Sequence, residues 1–184
     1  NGVVVSSYDT ELFGHWWFEG VNWLENVIRQ FSSDSVVDLT SARQYNLVNQ
    51  PTQEVQIPES SWGNGGQHST WLNFDTQEIW PLIHSSEHRF ELLAKNNLNA
   101  TGIRKKFLNQ AARELLLLQS SDWPFLITTV QARDYAEKRF KEHFERFSLL
   151  CEEIESGSLF LTEQIQSIFD ADNIFKHIDF RDFA

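Results

Sequence analysis

Between Asp75 and Phe169 apolar residues recur at three- and four-residue steps, and this spacing constrains the fold more than any other feature of the chain. Ile79, Ile83, Phe90 and Leu93 step along a first helix, which Asp75 and Glu78 open as a capping-box-like pair. Phe107, Leu108, Ala111, Ala112 and Leu115 mark a second helix from Thr101 to Gln119. Ser120 to Pro124 breaks it, because proline does not fit a helix interior. The strongest pattern starts near Thr129. Ala132, Ala136, Phe140, Phe144, Phe147 and Cys151 form its stripe, and Glu137, Lys138, Lys141, Glu142, Glu145 and Arg146 its solvated side, up to a stop at Ser156-Gly157. A short helix from Thr162 to Phe169 follows. Residues 75–170 therefore predict an antiparallel helical bundle.

The first third of the chain has a different character. Val3 to Ser7 reads as a short buried strand, Asp9-Thr10 as a turn, and a helix is expected from about His15 to Ser32. Phe13, Trp17, Gly20, Val21, Leu24, Ile28 and Phe31 share its apolar face. One such β-loop-α unit cannot bury both of its faces alone. The sequence also contains no methionine and starts Asn1-Gly2. Both features lead us to expect a C-terminal piece of a longer chain. Val36, Val37 and Leu39, and later Val55 to Ile57, suggest further short extended segments, and Ser41 is placed to cap a helix over Ala42–Val48. The expected fold class is mainly α: a C-terminal helical bundle preceded by one β-loop-α remnant of a (β/α) barrel and short strands. The expected domains are residues 1–35, the strand-helix remnant, and 36–184, the helical part with the irregular loop 58–73.

With 15 basic and 26 acidic residues the net charge is -11, which disfavours nucleic acid and anionic membrane as partners. No apolar run is long enough to span a bilayer, and no signal peptide is visible. The single Cys151 excludes an internal disulfide framework and fits a reducing compartment, so cytoplasm is the expected location. On the apolar stripe Cys151 reads as a small buried hydrophobe.

Several residues carry possible chemistry. Asp9 follows a predicted strand, and aromatic neighbours there could raise its pKa; it serves either as a proton donor or as a cap of the helix entrance. Glu11 reads better as a first-turn acid. His15 is either structural or a hydrogen-bonding partner of a ligand, and Trp17 belongs to the core stripe. Trp62 and Trp71 lie in a polar, glycine-bearing loop with no periodicity to bury them, so protein or ligand must cover them. Asp122-Trp123 at the helix break either faces the same ligand or caps and packs. His84 and His88 are four apart on a predicted helix, but no third ligand is evident and no metal site is expected. Gly63 to Gly66 lacks the context of a phosphate loop. Arg104-Lys105-Lys106 reads as a solvated face.

Tyr8-Asp9-Thr10-Glu11-Leu12-Phe13-Gly14-His15-Trp16-Trp17-Phe18-Glu19-Gly20 resembles a signature of glycoside hydrolase family 57. Glu59 to Gly66, followed by Trp71-Leu72-Asn73, resembles that family's last motif. Leu108 to Leu115 and Ser121 to Phe125 resemble the helical C-terminal region of its 1,4-α-glucan branching enzymes. The resemblance implies retaining transglycosylation that makes α-1,6 branches, with Asp9 as acid/base. It further implies that Trp62 and Trp71 contact the glucan, with His15 and Trp123 as further candidate contacts. Asn64 departs from the acidic residue more usual in this motif. The nucleophile, a glutamate of an earlier motif, matches no residue here. The resemblance implies no cofactor and no metal. The partners it implies are a neutral α-1,4-glucan and the remaining barrel portion of the same protein. A 4-α-glucanotransferase or α-amylase of the family, and a non-catalytic glucan-binding fragment, are the alternatives.

Overall fold

The computed structural model describes residues 2–184. Contacts divide the chain into two units, one running to Ile57 and the other Pro58–Ala184. The division falls at the Ile57/Pro58 junction, so residues 36–57 group with the N-terminal segment rather than with the bundle.

The first unit holds two helices, α1 (Gly20–Ser32) and α2 (Ala42–Val48). The Ser41 side chain caps α2 as expected, accepting from Gln44 N at 3.2 Å. The expected strands do not form. Among the described residues there is no β-strand, only an isolated bridge between Phe13 and Trp17. A strand needs a neighbour to complete its ladder, and Val3 to Ser7, Val36 to Leu39 and Val55 to Ile57 are instead exposed coil. The helix also starts later than His15. Gly14, at φ +92°, turns the chain, and Trp17 O accepts from both Gly14 N and Gly20 N, so residues 13–19 form a compact turn. This turn packs Phe13 against Trp17 and Trp23, with Tyr8 edge-on to Phe13. Val21, Leu24, Ile28 and Phe31, expected to be buried, are exposed.

The second unit is the bundle: α3 (Ile79–Asn96), α4 (Gly102–Leu118), α5 (Asp122–Thr129), α6 (Arg133–Ser156) and α7 (Glu163–Ala171), closed by a 3-10 turn over Phe180–Phe183. The Thr162 side chain caps α7 by accepting from Ile165 N, and Gly157 ends α6 in the left-handed region at φ +77°. The expected Asp75–Glu78 capping box is absent. Helix α3 begins four residues later, and the Asp75 carboxylate pairs with Arg133 at 2.9 Å instead. The helix break at Ser120–Pro124 is followed by a helix of its own, α5, with Pro124 in its first turn, where no backbone N–H is needed.

Phe90, Phe107, Leu108, Leu118, Phe147, Leu150, Ile154 and Phe180 fill the core. A polar network crosses it. Arg139 Nη2 lies 2.9 Å from His143 Nε2, and His143 Nδ1 lies 2.8 Å from Glu114 Oε2. Because a guanidinium only donates, it fixes His143 with its proton on Nδ1, donating to Glu114. Gln110 Nε2 donates to Glu114 Oε1 and to the Asp172 carbonyl, and Arg146 donates to the Asp172 carboxylate. Helices α4, α6 and the end of α7 are thereby joined. Burial pushes the Glu114 carboxyl above its ordinary range, against the hydrogen bonds of His143 and Gln110. Carboxylates at the bundle surface behave in the opposite way. The Lys105 ammonium and the Arg181 N–H hold Asp179 low, and the Arg89 guanidinium holds Glu155 low. Lys105 and Arg104 are thus tethers and not a freely solvated face; Arg104 donates to Ile154 O at 3.1 Å.

Two predictions follow from these charges. Glu114→Ala should destabilise the bundle by about 3–5 kcal/mol, because it strands a buried partner. Glu114→Gln keeps the shape but only one of the two acceptor oxygens, turning a donor toward a donor, and should cost about 1–3 kcal/mol; urea unfolding of both variants measures the difference. Asp179 and Glu155 have folded pKa values below their ordinary 3.8 and 4.5, so their contribution is present above those values and lost as pH falls through the lowered ones. Acid unfolding followed by circular dichroism should show stability falling below about pH 4.5, with a shallower fall in a Lys105→Met, Arg89→Met double variant.

Candidate active site and aromatic loop

Asp9 stands in the first unit, before a 3-10 turn over Thr10–Leu12. Its backbone carbonyl accepts from Leu12 N at 3.1 Å, while its side chain makes no capping hydrogen bond. Asp9 is exposed and follows Tyr8, whose ring meets those of Phe13 and Trp23. The cap, one of its two expected uses, is therefore not made. His15 is also exposed, edge-on to Trp16 with ring centroids 4.9 Å apart. Trp17 is half-buried in the aromatic turn, as its place on the stripe predicts.

The loop 58–73 belongs to the second unit and is a compact folded segment. Ser61 N donates to Gly66 O, Gly66 N to Gly63 O, and the Ser61 hydroxyl to Gln67 O. Asn64 N donates to the Thr70 hydroxyl, and Glu59 pairs with His68 at 3.0 Å. Gly65 and Gly66 adopt φ +68° and +71°. Gly63 is required for a different reason. A Cβ there would lie 2.6 Å from Cζ3 of the Trp71 ring and 2.9 Å from the Gln67 carbonyl oxygen.

Trp62 is 78% exposed. Its ring meets Trp71 edge-on, at 5.4 Å and 75° between planes, and leans on Phe125 of α5 at 5.9 Å and 40°. Trp71 is half-buried, and its carbonyl accepts from both the Thr76 hydroxyl (2.8 Å) and Trp80 Nε1 (3.0 Å). Asn73 joins this loop to α5, donating to Thr128 Oγ1 at 2.7 Å. A ring braced by two others, with most of its surface in water, offers apolar surface and a polar N–H to a flat ligand such as a sugar.

Trp123 does not join this surface. It is 9% exposed, donates its indole N–H to Leu117 O at 2.8 Å and stacks on His143 at 6.1 Å and 25°. It is a core residue that anchors α5, so it presents no face to a ligand. His84 and His88 are exposed on α3. Among the described residues, Glu114, His143 and Asp172 come close enough for one cation, with ligand atoms within 4.8 Å of one another. Arg139 and Arg146 already supply the positive charge there, and hydrogen bonds occupy the donor atoms. This cluster escaped the sequence reading although a signal was present. Glu114 continues the series Phe107, Ala111, Glu114, Leu118, and His143 the series Ala136, Phe140, His143, Phe147; each is a polar residue on an apolar stripe. Cys151 is buried, and burial pushes its thiol up to about 12, which makes it inert. No helix among the described residues is long and apolar enough to cross a membrane.

Comparison with known proteins identifies the family of the helical bundle. Residues 82–183 match the family described as 1,4-alpha-glucan branching enzyme, C-terminal. A 1,4-alpha-glucan branching enzyme of Thermococcus kodakarensis is 41% identical over 153 residues, 83% of this chain and 23% of that protein. The crystal structure of the same enzyme, a GH57 branching enzyme in complex with glucose and additives, superposes with a TM-score of 0.76 at 34% identity, over 96% of this chain and 33% of that one. A GH57-type branching enzyme from Pyrococcus horikoshii gives a TM-score of 0.74 at 38% identity, over 96% of this chain and 34% of that one. The alpha-amylase AmyC from Thermotoga maritima gives 0.67 at 34%, over 96% and 32%. The chain thus spans about a quarter of the curated relative and a third of each solved one. With this match over its helical bundle, the chain belongs to the C-terminal family of 1,4-α-glucan branching enzymes.

Proposed function

We propose that this chain is the C-terminal part of a 1,4-α-glucan branching enzyme, working by retaining transglycosylation on glycogen-like glucan in the cytoplasm. The observation that carries this reading is Trp62, a largely exposed indole on a rigid loop, at the position where the family resemblance implies a glucan contact. Asp9 supports it as acid/base, because its exposed carboxylate is not consumed by a cap. The net charge of -11 is compatible with a neutral polymer and unfavourable for an anionic one.

In this mechanism a glutamate outside residues 1–184 attacks the anomeric carbon while Asp9 gives its proton to the departing glucan oxygen. Asp9 then removes the proton from the 6-hydroxyl of an acceptor chain, and an α-1,6 bond replaces the covalent glycosyl intermediate. Trp62 and Trp71 hold a glucan strand, and His15 is a candidate hydrogen-bonding contact. Orientation of the sugar hydroxyl favours transfer over attack by water. We infer that the exposed stripe Val21, Leu24, Ile28 and Phe31 packs on the barrel portion of the longer protein, and that residues 1–184 alone have no turnover. The similarity to AmyC favours hydrolysis as the second reading. Amylose incubated with the longer protein distinguishes the two: new α-1,6 linkages mean branching, and a rise in reducing ends without them means hydrolysis.

Asp9→Asn in that longer protein should lower kcat by about 10²–10⁴-fold, the usual contribution of a general acid/base, with little change in KM. A normal branching rate would remove the assignment. Trp62→Ala should weaken binding of a maltooligosaccharide to the chain by about tenfold, measured by calorimetry. Gly63→Ala should weaken it to a similar degree by displacing the Trp71 ring, while far-ultraviolet circular dichroism stays unchanged.

A further inference from the structure

Phe74 follows the aromatic loop and is 86% exposed, more than Trp62. A bare phenyl ring in water gains nothing for the fold, and a mobile segment would let it collapse onto the surface. The backbone on either side is fixed instead. Asn73 N donates to Thr76 Oγ1, Asn73 Nδ2 to Ser69 O and Thr128 Oγ1, and Asp75 N to Asn73 Oδ1. Thr76, fully buried, donates its hydroxyl to Trp71 O, and the Asp75 carboxylate pairs with Arg133 at the start of α6. Phe74 thus sits between two anchored residues, three positions from Trp71, with most of its ring in water.

We propose that Phe74 is a further glucan-contacting ring, extending the surface of Trp62 and Trp71 by one more sugar position. The inference rests on the glucan-binding reading above and goes beyond it by assigning a residue and a longer binding track. Adjacency in sequence selects the occupant: Phe74 is the next largely exposed ring after Trp62 on the same hydrogen-bonded segment, so it is assigned the same neutral, ribbon-like strand. The Asn73 anchor makes the ring preorganised, so binding need not freeze the loop.

Affinity electrophoresis of the full chain in gels containing amylose tests this, with Phe74→Ala, Phe74→Trp and Trp62→Ala run beside the unmodified protein. Phe74→Ala should bind about threefold to tenfold more weakly, and Phe74→Trp should restore binding. The midpoint of thermal unfolding should not change in either, since most of the ring is in water. Loss of binding with Trp62→Ala but not with Phe74→Ala overturns the assignment of Phe74 while leaving the tryptophan surface intact. An unmodified chain with no retardation overturns both readings together. A lowered unfolding midpoint or a changed oligomeric state in Phe74→Ala, with retardation unaltered, assigns the ring to a protein contact and also overturns the proposal.

Discussion

The His143–Glu114 hydrogen bond is the interaction on which the second unit turns. It joins α4 and α6 inside a core where both side chains are fully buried, so His143 Nδ1 and Glu114 Oε2 have no water to turn to if it is lost. From there a chain of contacts leads outward. His143 supports the Trp123 ring, and Trp123 ties the start of α5 to the end of α4 through Leu117 O. Helix α5 then presents Phe125 to Trp62 and Thr128 to Asn73. The placement of an exposed indole thus depends on a buried imidazole one helix away.

Most helices were legible from spacing alone because their information is local. Helices α4, α6 and α7 lie within a few residues of their expected limits, and Ser41 makes the cap that its sequence position foretold. The failures share a different cause. Val3 to Ser7 has the composition of a strand, but a strand exists only where another chain segment completes its ladder. The stripe of α1 has the spacing of a buried face, and spacing says nothing of what lies opposite. Asp75 and Glu78 had the pattern of a capping box, but Arg133, far along the chain, competed for the carboxylate.

The candidate site was legible to the same extent. A carboxylate before a glycine-containing aromatic turn, and two tryptophans in a polar loop, could be picked out as residue types without coordinates. What no pattern revealed was how each is held. Trp123 looks like Trp62 in sequence, since both sit in short polar segments next to small residues. The structure separates them by a hydrogen bond: the Trp123 indole N–H reaches a helix-end carbonyl and the ring goes inside, while Trp62 leans on Trp71 and stays largely in water.

That contrast explains how a loop can be exposed and rigid together. Hydrophobic collapse would ordinarily pull Trp62 and Phe74 onto the bundle, because burial of either ring is favourable. Backbone geometry opposes it. The absence of a side chain at Gly63 lets Trp71 pack close, the Trp71 carbonyl is bound twice, and Asn73 is fastened at both ends. These anchors flank the two rings in sequence, Gly63 directly after Trp62 and Asn73 directly before Phe74, and hold the backbone in the conformation that keeps both rings outside. Fixed apolar faces of this kind bind flat, neutral ligands with little loss of conformational entropy, and a long uncharged polymer such as a glucan has that character.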